Sequence, residues 1–342
     1  MILMANKEVK VGLRRLIVSL LAVVILAIMA LFFVSQEDLG GMINAILGAN
    51  YFFVGAAIGI YFLGLALWSV RWIMILKSAG YETKFSSIYP IVWGGVFINN
   101  ITPFTYSGGD PIARSYLLKK TQGIPYSSGF ATMIGEFVMD FPIFFSFLLL
   151  GAILVFGGGA LSSTFALIGV WVVVLVLFIT LAPRLFCKLS SPRVVKLAGW
   201  ILKKLRRPKS ETRISKEFSH FTGCLLMIVK KRFALPIAAA SVLIWTVIIM
   251  RYLLIFLALG FTPPFSMLFL TLTLSAIVGL VPILPAGLGT VDLTYISIFT
   301  FFGVPAPIAL SAVLIERSIT FVMATLIGAG VISYFGIKVW SK

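Results

Sequence analysis

The chain has 342 residues, of which 60% are hydrophobic and 11% are charged, with a mean hydropathy of +1.10 and a formal net charge of +17. This composition leaves too few polar residues to cover a water-soluble fold, and apolar runs of about 20 residues, enough to cross a bilayer as helix, recur throughout. We therefore predict one all-α integral membrane domain over residues 1–342. The only histidine is His220, which argues against a His metal cluster and His-based catalysis.

The basic residues that flank the apolar runs give the predicted topology. Full spans are expected at about 16–34, 51–76, 126–156, 164–183, 234–258 and 306–335. Cytoplasmic loops are rich in Lys and Arg, and the basic N-terminus precedes a first run that has no signal-peptide cleavage site. We predict a multi-pass protein of the cell membrane with both termini in the cytoplasm and an outside loop at 35–50.

Two further apolar stretches, 85–120 and 265–304, are interrupted by Pro and Gly. The first has lysines at both ends, namely Lys77, Lys84, Lys119 and Lys120, so both ends are expected in the cytoplasm. The second has no Lys or Arg at either end. These flanks predict two re-entrant helical hairpins, entered from opposite faces, in addition to six full spans. The alternative is that both stretches cross fully, which gives eight spans.

The polar residues of the two regions share their spacing. The matching pairs are Arg71 and Glu136, 65 residues apart, Arg251 and Glu316, also 65 apart, and Pro103–Asp110 and Pro285–Asp292, each seven apart. Two repeat cores are therefore predicted, at 65–145 and 245–325. Three full spans separate the hairpins, so the second repeat is expected to be inverted, as in many secondary transporters. With eight full spans the repeats are parallel.

Five of the eleven acids and four arginines lie inside these apolar stretches. Those in long spans are Arg71, Glu136, Asp140, Arg251, Glu316 and Arg317, and those in the interrupted stretches are Asp110, Arg114 and Asp292. A charge at membrane depth costs about 2.5 kcal/mol or more, so such residues pair with one another or face a cavity. One interpretation is structural ion pairs that hold broken helices together. The repeated set favours the other, an intramembrane charge network around a cavity that admits a head group.

The first hairpin turn has the features of an anion site. Asn100, Gly108 and Gly109 lie in or beside a tight turn, and a helix is expected to begin near Asp110. Free N–H groups at such a helix start bind anions. Arg114, one turn into the helix, is placed to reach a phosphate. Asp110 either caps the helix or also shapes the site.

The second hairpin turn repeats this design without the arginine. It contains Gly287, Gly289 and Asp292 but has Ile296 at the position equivalent to Arg114. The two halves are therefore not equivalent. Both turns are assigned to a substrate or head-group site, with the better phosphate site in the first.

Half of the 28 Lys and Arg residues lie in the segment 184–232. Apolar residues between them form one face of a helix, which is typical of an amphipathic segment on the anionic cytoplasmic surface of a membrane. Nucleic acid is an alternative ligand for so basic a segment, but the positive-inside rule already accounts for the charge. No nucleic-acid partner is expected, and the predicted partners are membrane lipids with anionic head groups.

These motifs resemble the flippase-like transmembrane domain of the lysylphosphatidylglycerol synthase family. The resemblance rests on Pro103 through Arg114, Glu136 with Asp140, and Pro285 through Asp292 with Arg317. It departs from the family at Asp110, where Glu is frequent, and at Phe137, where Arg is common. The chain ends at Lys342, so the family's soluble aminoacyl-transferase domain is not expected here. The resemblance implies translocation of a phospholipid or a polyprenyl-linked lipid between leaflets.

Three functions follow as hypotheses. The first is a lipid flippase or scramblase in which the two hairpins meet at the midplane. The second is a non-transporting scaffold that presents lipid to a separate transferase or glycosyltransferase. The third, a membrane enzyme that uses paired carboxylates, has the least support, so no catalytic residue, metal or cofactor is assigned. The lipid, the driving force and the oligomeric state are left open.

Overall fold

The computed structural model describes residues 36–102, 109–156, 223, 231–280 and 285–335. All regular secondary structure in these ranges is helical, as the composition predicts. The predicted spans at 16–34 and 164–183, most of the segment 184–232 and the turn residue Gly108 lie outside the described residues.

The helices follow one another as α1 (Gln36–Leu47), α2 (Tyr51–Ser78), α3 (Phe85–Ile101), α4 (Gly109–Gln122), α5 (Tyr126–Phe156), α6 (Lys231–Ala258), α7 (Phe265–Gly279), α8 (Thr290–Phe301), α9 (Ala306–Arg317) and α10 (Ala324–Tyr334). A 3₁₀ turn at Pro285–Gly287 precedes α8, and a π-helical segment at Ser318–Met323 joins α9 to α10.

Four described stretches are long and apolar enough to cross a membrane: Tyr51–Ser78, Tyr126–Val155, Phe233–Ala258 and Ala306–Tyr334. They coincide with four of the predicted spans, and each exceeds the roughly 20 residues that a hydrocarbon core requires. The chain is therefore an α-helical membrane protein.

The two long helices that lead into the interrupted stretches end in the same way. Gly80 has a φ of 89°, and the N–H of Tyr81 donates to the carbonyl of Leu76 at 2.9 Å. Gly260 has a φ of 72°, and the N–H of Phe261 donates to the carbonyl of Phe256 at 3.0 Å. A left-handed glycine followed by this hydrogen bond is the Schellman motif, which ends a helix. Gly80 and Gly260, which end α2 and α6 in this way, are equivalent positions in the predicted repeat.

The segment 35–50, predicted as the outside connection between two spans, contains helix α1 at Gln36–Leu47, which the sequence interpretation did not predict. Gly40 and Gly41 favour a loop on propensity, yet tertiary packing on α9 stabilises the helix. A Cβ atom at Gly41 would lie 2.8 Å from Pro307 Cγ, and the Ser311 hydroxyl donates to the carbonyl of Met42 at 3.2 Å. The glycine thus permits close helix packing rather than a turn.

Both interrupted stretches are broken helices, as predicted. Residues 85–120 contain α3 and α4, and residues 265–304 contain α7, the 3₁₀ turn and α8, with α7 packed on α8. In the second break, Ala286 has a φ of 53°, an unusual value for a residue with a Cβ, and Gly287 and Gly289 also have positive φ. Glycines there make the reversal of the chain possible.

The chain divides into two compact units. Among the described residues, the first unit comprises 36–65, 90–102, 109–113, 246–280 and 285–335. The second unit comprises 66–89, 114–156 and 231–245.

Within the first unit, α2 and α6 pack in opposite directions. The N–H of Asn50, just before α2, donates to the carbonyl of Ala258, the last residue of α6, at 2.8 Å. Further along α2, a Cβ atom at Gly64 would lie 3.7 Å from Val247 Cγ1, an ordinary contact. Residue numbers therefore rise along α2 as they fall along α6, which makes the two helices antiparallel.

The packing of α10 on α3 in the first unit depends on Gly328. A Cβ atom there would lie 2.6 Å from Phe97 Cβ and 2.7 Å from the carbonyl oxygen of Trp93. Because a backbone atom cannot move far enough, Gly328→Ala should lower the free energy of unfolding by about 1–3 kcal/mol, measured by SDS titration in detergent micelles. Gly330→Ala is the matched control, since nothing lies within 4 Å of its Cβ position. Equal unfolding midpoints for the two variants would contradict the packing.

Candidate functional site

The second unit holds a buried cluster of four charged residues, Arg71, Arg114, Glu136 and Asp140, which we call the Arg71 cluster. Arg71 Nη1 donates to Asp140 Oδ1 and, at 2.8 Å, to the Ser241 hydroxyl. Arg71 Nη2 lies 3.8 Å from Glu136 Oε2. Arg71 thus lies next to both acids and joins α2, α5 and α6 within the unit.

Arg114 and three tryptophans complete the contacts of the Arg71 cluster. Arg114 Nη2 donates to Glu136 Oε2 at 2.9 Å, and Trp68 Nε1 donates to the same oxygen at 3.0 Å. The Arg114 guanidinium carbon lies 4.8 Å from the centroid of the Trp72 ring, a cation–π distance. Trp245 Nε1 donates to Asp140 Oδ1 at 3.1 Å.

Sequence spacing explains why these side chains meet. Glu136 and Asp140 are four residues apart on α5, and Trp68 and Arg71 are three apart on α2, so each pair lies on one helix face. The packing of α5 on α4 is close because a Cβ atom at Gly129 would lie 3.3 Å from Ser115 Cα. This small residue lets Arg114 reach Glu136.

The Arg71 cluster is buried and formally neutral, with two arginines against two acids. Arg71 and Arg114 are each 1% exposed, and Glu136 is 3% exposed. Its hydrogen bonds are uneven, however. Glu136 Oε2 accepts both of the hydrogen bonds to this glutamate, from Arg114 and Trp68, while Glu136 Oε1 has no hydrogen-bond partner in the part of the chain that the structure describes. A buried oxygen without a hydrogen-bond donor is costly, so Glu136 Oε1 is an acceptor of this cluster that remains unsatisfied.

The first unit holds a second charge cluster, made by Arg251, Glu316, Asp292 and Arg317, which we call the Arg251 cluster. Arg251 Nε donates to Glu316 Oε2 at 3.0 Å, and Arg251 Nη2 donates to Oε1 at 2.6 Å. Both oxygens of Glu316 are therefore bound in a bidentate pair, the strongest form of this contact. The positions equivalent in the predicted repeat, Arg71 and Glu136, are much less tightly paired.

Arg317 ties the second hairpin turn to α9 within the same unit. Its Nε donates to Asp292 Oδ1 at 2.5 Å, and its Nη1 donates to the carbonyl of Ala286 at 3.1 Å. Asp292 Oδ2 also accepts the N–H of Gly289 at 2.9 Å, so this acid caps α8 as well as binding the arginine. Gly287 and Gly289 belong to the turn that these contacts hold.

Tyrosines surround the Arg251 cluster where tryptophans surround the Arg71 cluster. The hydroxyls of Tyr252 and Tyr295 lie 2.7 Å apart. The Arg251 guanidinium carbon lies 5.3 Å from the ring centroid of Tyr61, and that of Arg317 lies 5.9 Å from Tyr295. Cation–π contacts therefore help to stabilise the positive charge of both arginines inside the protein.

In the first hairpin, two of the predicted site residues make close contacts within the first unit. Gly109 begins α4, and a Cβ atom there would lie 2.2 Å from the Thr102 hydroxyl, so only glycine allows the two arms to approach this closely. Asp110 lies in the first turn of α4, as predicted. Asn100 Nδ2 donates to the carbonyl of Thr320 and to the Thr325 hydroxyl, each at 3.1 Å.

Asn100 thus binds the π-helical segment that follows Arg317. A π turn widens the helix by one residue and takes carbonyls away from their usual partners, and such turns are frequent at functional positions. Asn100 supplies a donor to one of these carbonyls. The predicted head-group residue is therefore a tether between α3 and the last span.

The structure differs from the sequence interpretation in how Arg114 is used. Arg114 was expected to be available for a phosphate while Glu136 balanced Arg71, yet Arg114 itself donates to Glu136. The two clusters also obtain their second arginine differently. The first cluster takes it from α4 and has Phe137 after its glutamate, whereas the second takes it from the position after Glu316 and has Ile296 in α8.

The aromatic partners of the charges were missed by the sequence interpretation. The signal was present for two of the four arginines, because an aromatic partner lies within one helical turn of each: Trp68 beside Arg71, and Tyr252 beside Arg251. No group of three His, Cys, Asp or Glu side chains that could hold a metal ion is found within the described ranges.

Comparison with known proteins adds a family and several relatives. The family model described as the lysylphosphatidylglycerol synthase TM region matches residues 19–328. A UPF0104 membrane protein of Methanothermobacter thermautotrophicus is 29% identical over 316 residues, which cover 89% of this chain and 91% of that protein. Another, from Methanocaldococcus jannaschii, is 29% identical over 309 residues, 89% of each chain.

A shorter match links the chain to a protein with a named activity. The glycosyltransferase AglD of Haloferax volcanii is 33% identical over 123 residues, which are 35% of this chain and 18% of that protein. No solved structure matches.

Proposed function

Because the chain belongs to the lysylphosphatidylglycerol synthase transmembrane-region family, we propose that it moves a phospholipid or a polyprenyl-linked lipid between the leaflets of the cell membrane. Its termini lie in the cytoplasm in this proposal, and its ligands are lipids with anionic head groups. The chain acts as a flippase or scramblase and carries out no covalent chemistry.

The buried pair of Arg114 and Glu136 is the observation that supports this function best. Guanidinium groups bind carboxylates and phosphates with the same geometry, so the internal carboxylate occupies the place that a phosphate would take. A head group that enters the apolar interior needs such a partner, because an unpaired charge there is costly. Arg114 becomes that partner when a lipid phosphate replaces Glu136 as its acceptor.

The proposed architecture is an inverted repeat with two re-entrant hairpins. In the second unit, the hydroxyls of Tyr81 and Ser128 lie 2.9 Å apart, which supports placing the start of the first hairpin beside its end. In the first unit, the rings of Phe256 and Phe299 lie 4.8 Å apart and support the same for the second. The antiparallel directions of α2 and α6, which lead into the hairpins, support entry of the hairpins from opposite faces.

Labelling of single cysteines tests this topology. In a background that lacks Cys187 and Cys224, Glu82→Cys and Gln122→Cys should react with an impermeant maleimide only after cells are permeabilised. Thr262→Cys and Pro305→Cys should react in intact cells, because they flank the hairpin that enters from outside. All four positions are exposed. Opposite accessibility of positions 82 and 122 would show that the first stretch crosses fully.

Reconstitution tests the function. Sealed proteoliposomes that contain purified protein and a trace of head-group-labelled phosphatidylglycerol are treated with dithionite, which destroys the label only in the outer leaflet. Without protein, about half of the label is protected by geometry alone. With protein, we expect nearly all of it to be destroyed. A protected half that persists in vesicles with folded protein would contradict translocation.

The match to a glycosyltransferase favours one second candidate, a scaffold that presents lipid to a separate transferase. The similarity covers only 18% of AglD, so a segment of that protein resembles part of this chain. In this case the charge clusters hold the helices together and move no lipid. Inactive proteoliposomes, together with co-purification of a glycosyltransferase from the native membrane, would support the scaffold.

A further inference from the structure

The Arg71 cluster also points to a driving force and to a class of lipid. We infer that Glu136 takes up one proton when Arg114 binds the phosphate of a monoanionic phosphodiester lipid, so that one proton crosses the membrane with each lipid. This inference rests on the proposed function and deepens it. It depends on the geometry of a single carboxylate, which differs from that of its counterpart in the repeat.

Glu136 and Glu316 are equivalent in sequence but not in bonding. Both oxygens of Glu316 accept hydrogen bonds from Arg251, so this pair is closed. Glu136 is bound through Oε2 alone, and its buried Oε1 has no hydrogen-bond donor among the described residues. A proton on Oε1 therefore displaces no hydrogen bond. The same proton on Glu316 would break one arm of a bidentate contact.

Removal of Arg114 from Glu136 leaves this carboxylate poorly paired. Within the described residues of the second unit, the charged groups next to it are Arg71 from α2, Arg114 from α4 and, on its own helix α5, Asp140. Arg71 lies 3.8 Å from Glu136 and is already bound to Asp140, so it cannot neutralise both acids. A buried carboxylate without its own cation becomes protonated rather than stay charged.

The charge balance fixes the stoichiometry. The cluster is neutral in the structure, with two arginines and two carboxylates. When a phosphodiester with one negative charge replaces Glu136 on Arg114, and Glu136 Oε1 gains one proton from water, the total is again zero. The hydrogen bond donated by Arg114 passes from Glu136 Oε2 to a phosphate oxygen, and the only covalent bond that forms is the O–H bond at Oε1. When the phosphate leaves on the other side and Arg114 returns to Glu136, this O–H bond breaks and the proton is released to the water there.

The same balance separates classes of head group. A diphosphate-linked lipid carries more negative charge and would require further protons, for which Asp140 is the remaining acid. A zwitterionic head group brings its own ammonium group, which can replace the proton at Glu136. The neutral cluster with one open carboxylate oxygen therefore fits a monoanionic phosphodiester with one proton.

The test imposes a pH gradient on proteoliposomes that contain a trace of labelled phosphatidylglycerol and the pH-sensitive dye pyranine. Lipid that moves with one proton in an electroneutral step should accumulate in the leaflet that faces the alkaline side. For a gradient of about one pH unit, we expect roughly a tenfold ratio between leaflets. Potassium with valinomycin should not change this ratio, and pyranine should report proton entry only when labelled lipid moves.

Variants and a second lipid complete the test. Glu136→Gln should give equal leaflets whatever the gradient, while Glu82→Gln, at an exposed loop position, should behave like the wild type. Labelled phosphatidylcholine should show no gradient-driven ratio. Translocation of phosphatidylglycerol that ignores the gradient, or without proton entry in the wild type, would overturn the inference and leave the proposed function standing. Absence of all translocation would overturn both.

Discussion

Replacement of Arg251 by methionine should lower the free energy of unfolding by about 3–5 kcal/mol, because it leaves the carboxylate of Glu316 buried without its cation. Arg251 and Glu316 are 7% and 4% exposed, and two hydrogen bonds join them. Water cannot replace the lost partner at membrane depth. SDS titration of the purified protein in detergent micelles, followed by tryptophan fluorescence, measures the change.

A paired substitution separates this explanation from simple loss of packing. Arg251→Met combined with Glu316→Met removes both charges and keeps similar side-chain volume, so most of the lost stability should return. The cation–π contacts with Tyr61 and Tyr252 are absent in both variants and therefore cancel in the comparison. A double variant as unstable as the single one, or a single variant that costs less than about 1 kcal/mol, would contradict the ion-pair account.

Replacement of Arg114 by alanine should slow translocation of phosphatidylglycerol by about 10- to 100-fold. This range corresponds to the loss of one charge-assisted hydrogen bond to a phosphate, about 1.5–3 kcal/mol. The measurement is the initial rate at which dithionite destroys the label that starts in the inner leaflet of the proteoliposomes. Lys119→Ala is the matched control, because Lys119 lies on the same helix but is exposed, and its rate should equal that of the wild type.

A lower rate could also result from less folded protein in the Arg114→Ala sample, so the amount of folded protein is measured separately. In the Arg114→Ala variant, Glu136 keeps its hydrogen bond from Trp68 and can take up a proton, so no unpaired charge remains and size-exclusion profiles should stay monodisperse. Rates are then compared per folded molecule. A folded Arg114→Ala variant with the wild-type rate would remove Arg114 from the head-group path.

Spacing in the sequence identified the charged residues because buried charges in apolar helices are rare and costly. The equal 65-residue intervals predicted two repeats, with Arg71 and Glu136 equivalent to Arg251 and Glu316, but they did not predict which arginine binds which acid. Arg251 and Glu316 form a bidentate pair, whereas the closer partner of Glu136 is Arg114. Which of two nearby arginines reaches an acid depends on how closely the helices pack. Here the small residue Gly129 lets α4 approach α5, and residue spacing along one chain does not give such a distance.

Other features lay beyond sequence reasoning for definable reasons. Helix α1 contains two glycines, and no local signal predicts it. The contact that accompanies it, between Gly41 and Pro307, links residues far apart in the chain. The π-helical segment after Arg317 has no local signature, and the Asn100 side chain that binds it lies 220 residues earlier. The end of α3 at Ile101, the start of α4 at Gly109 and the turn at Pro285–Gly287 agree with the predicted interruptions, because Pro and Gly act locally.

Oxidation of unlabelled lipid by periodate tests the central claim most directly. Periodate cleaves the glycerol diol of phosphatidylglycerol and does not cross sealed membranes, so it reports native head groups in the outer leaflet. Proteoliposomes with the wild-type protein should lose nearly all of their phosphatidylglycerol, whereas those with Arg114→Ala should lose the outer half rapidly and the remainder slowly. Retention of the inner half in vesicles with folded wild-type protein would contradict lipid translocation.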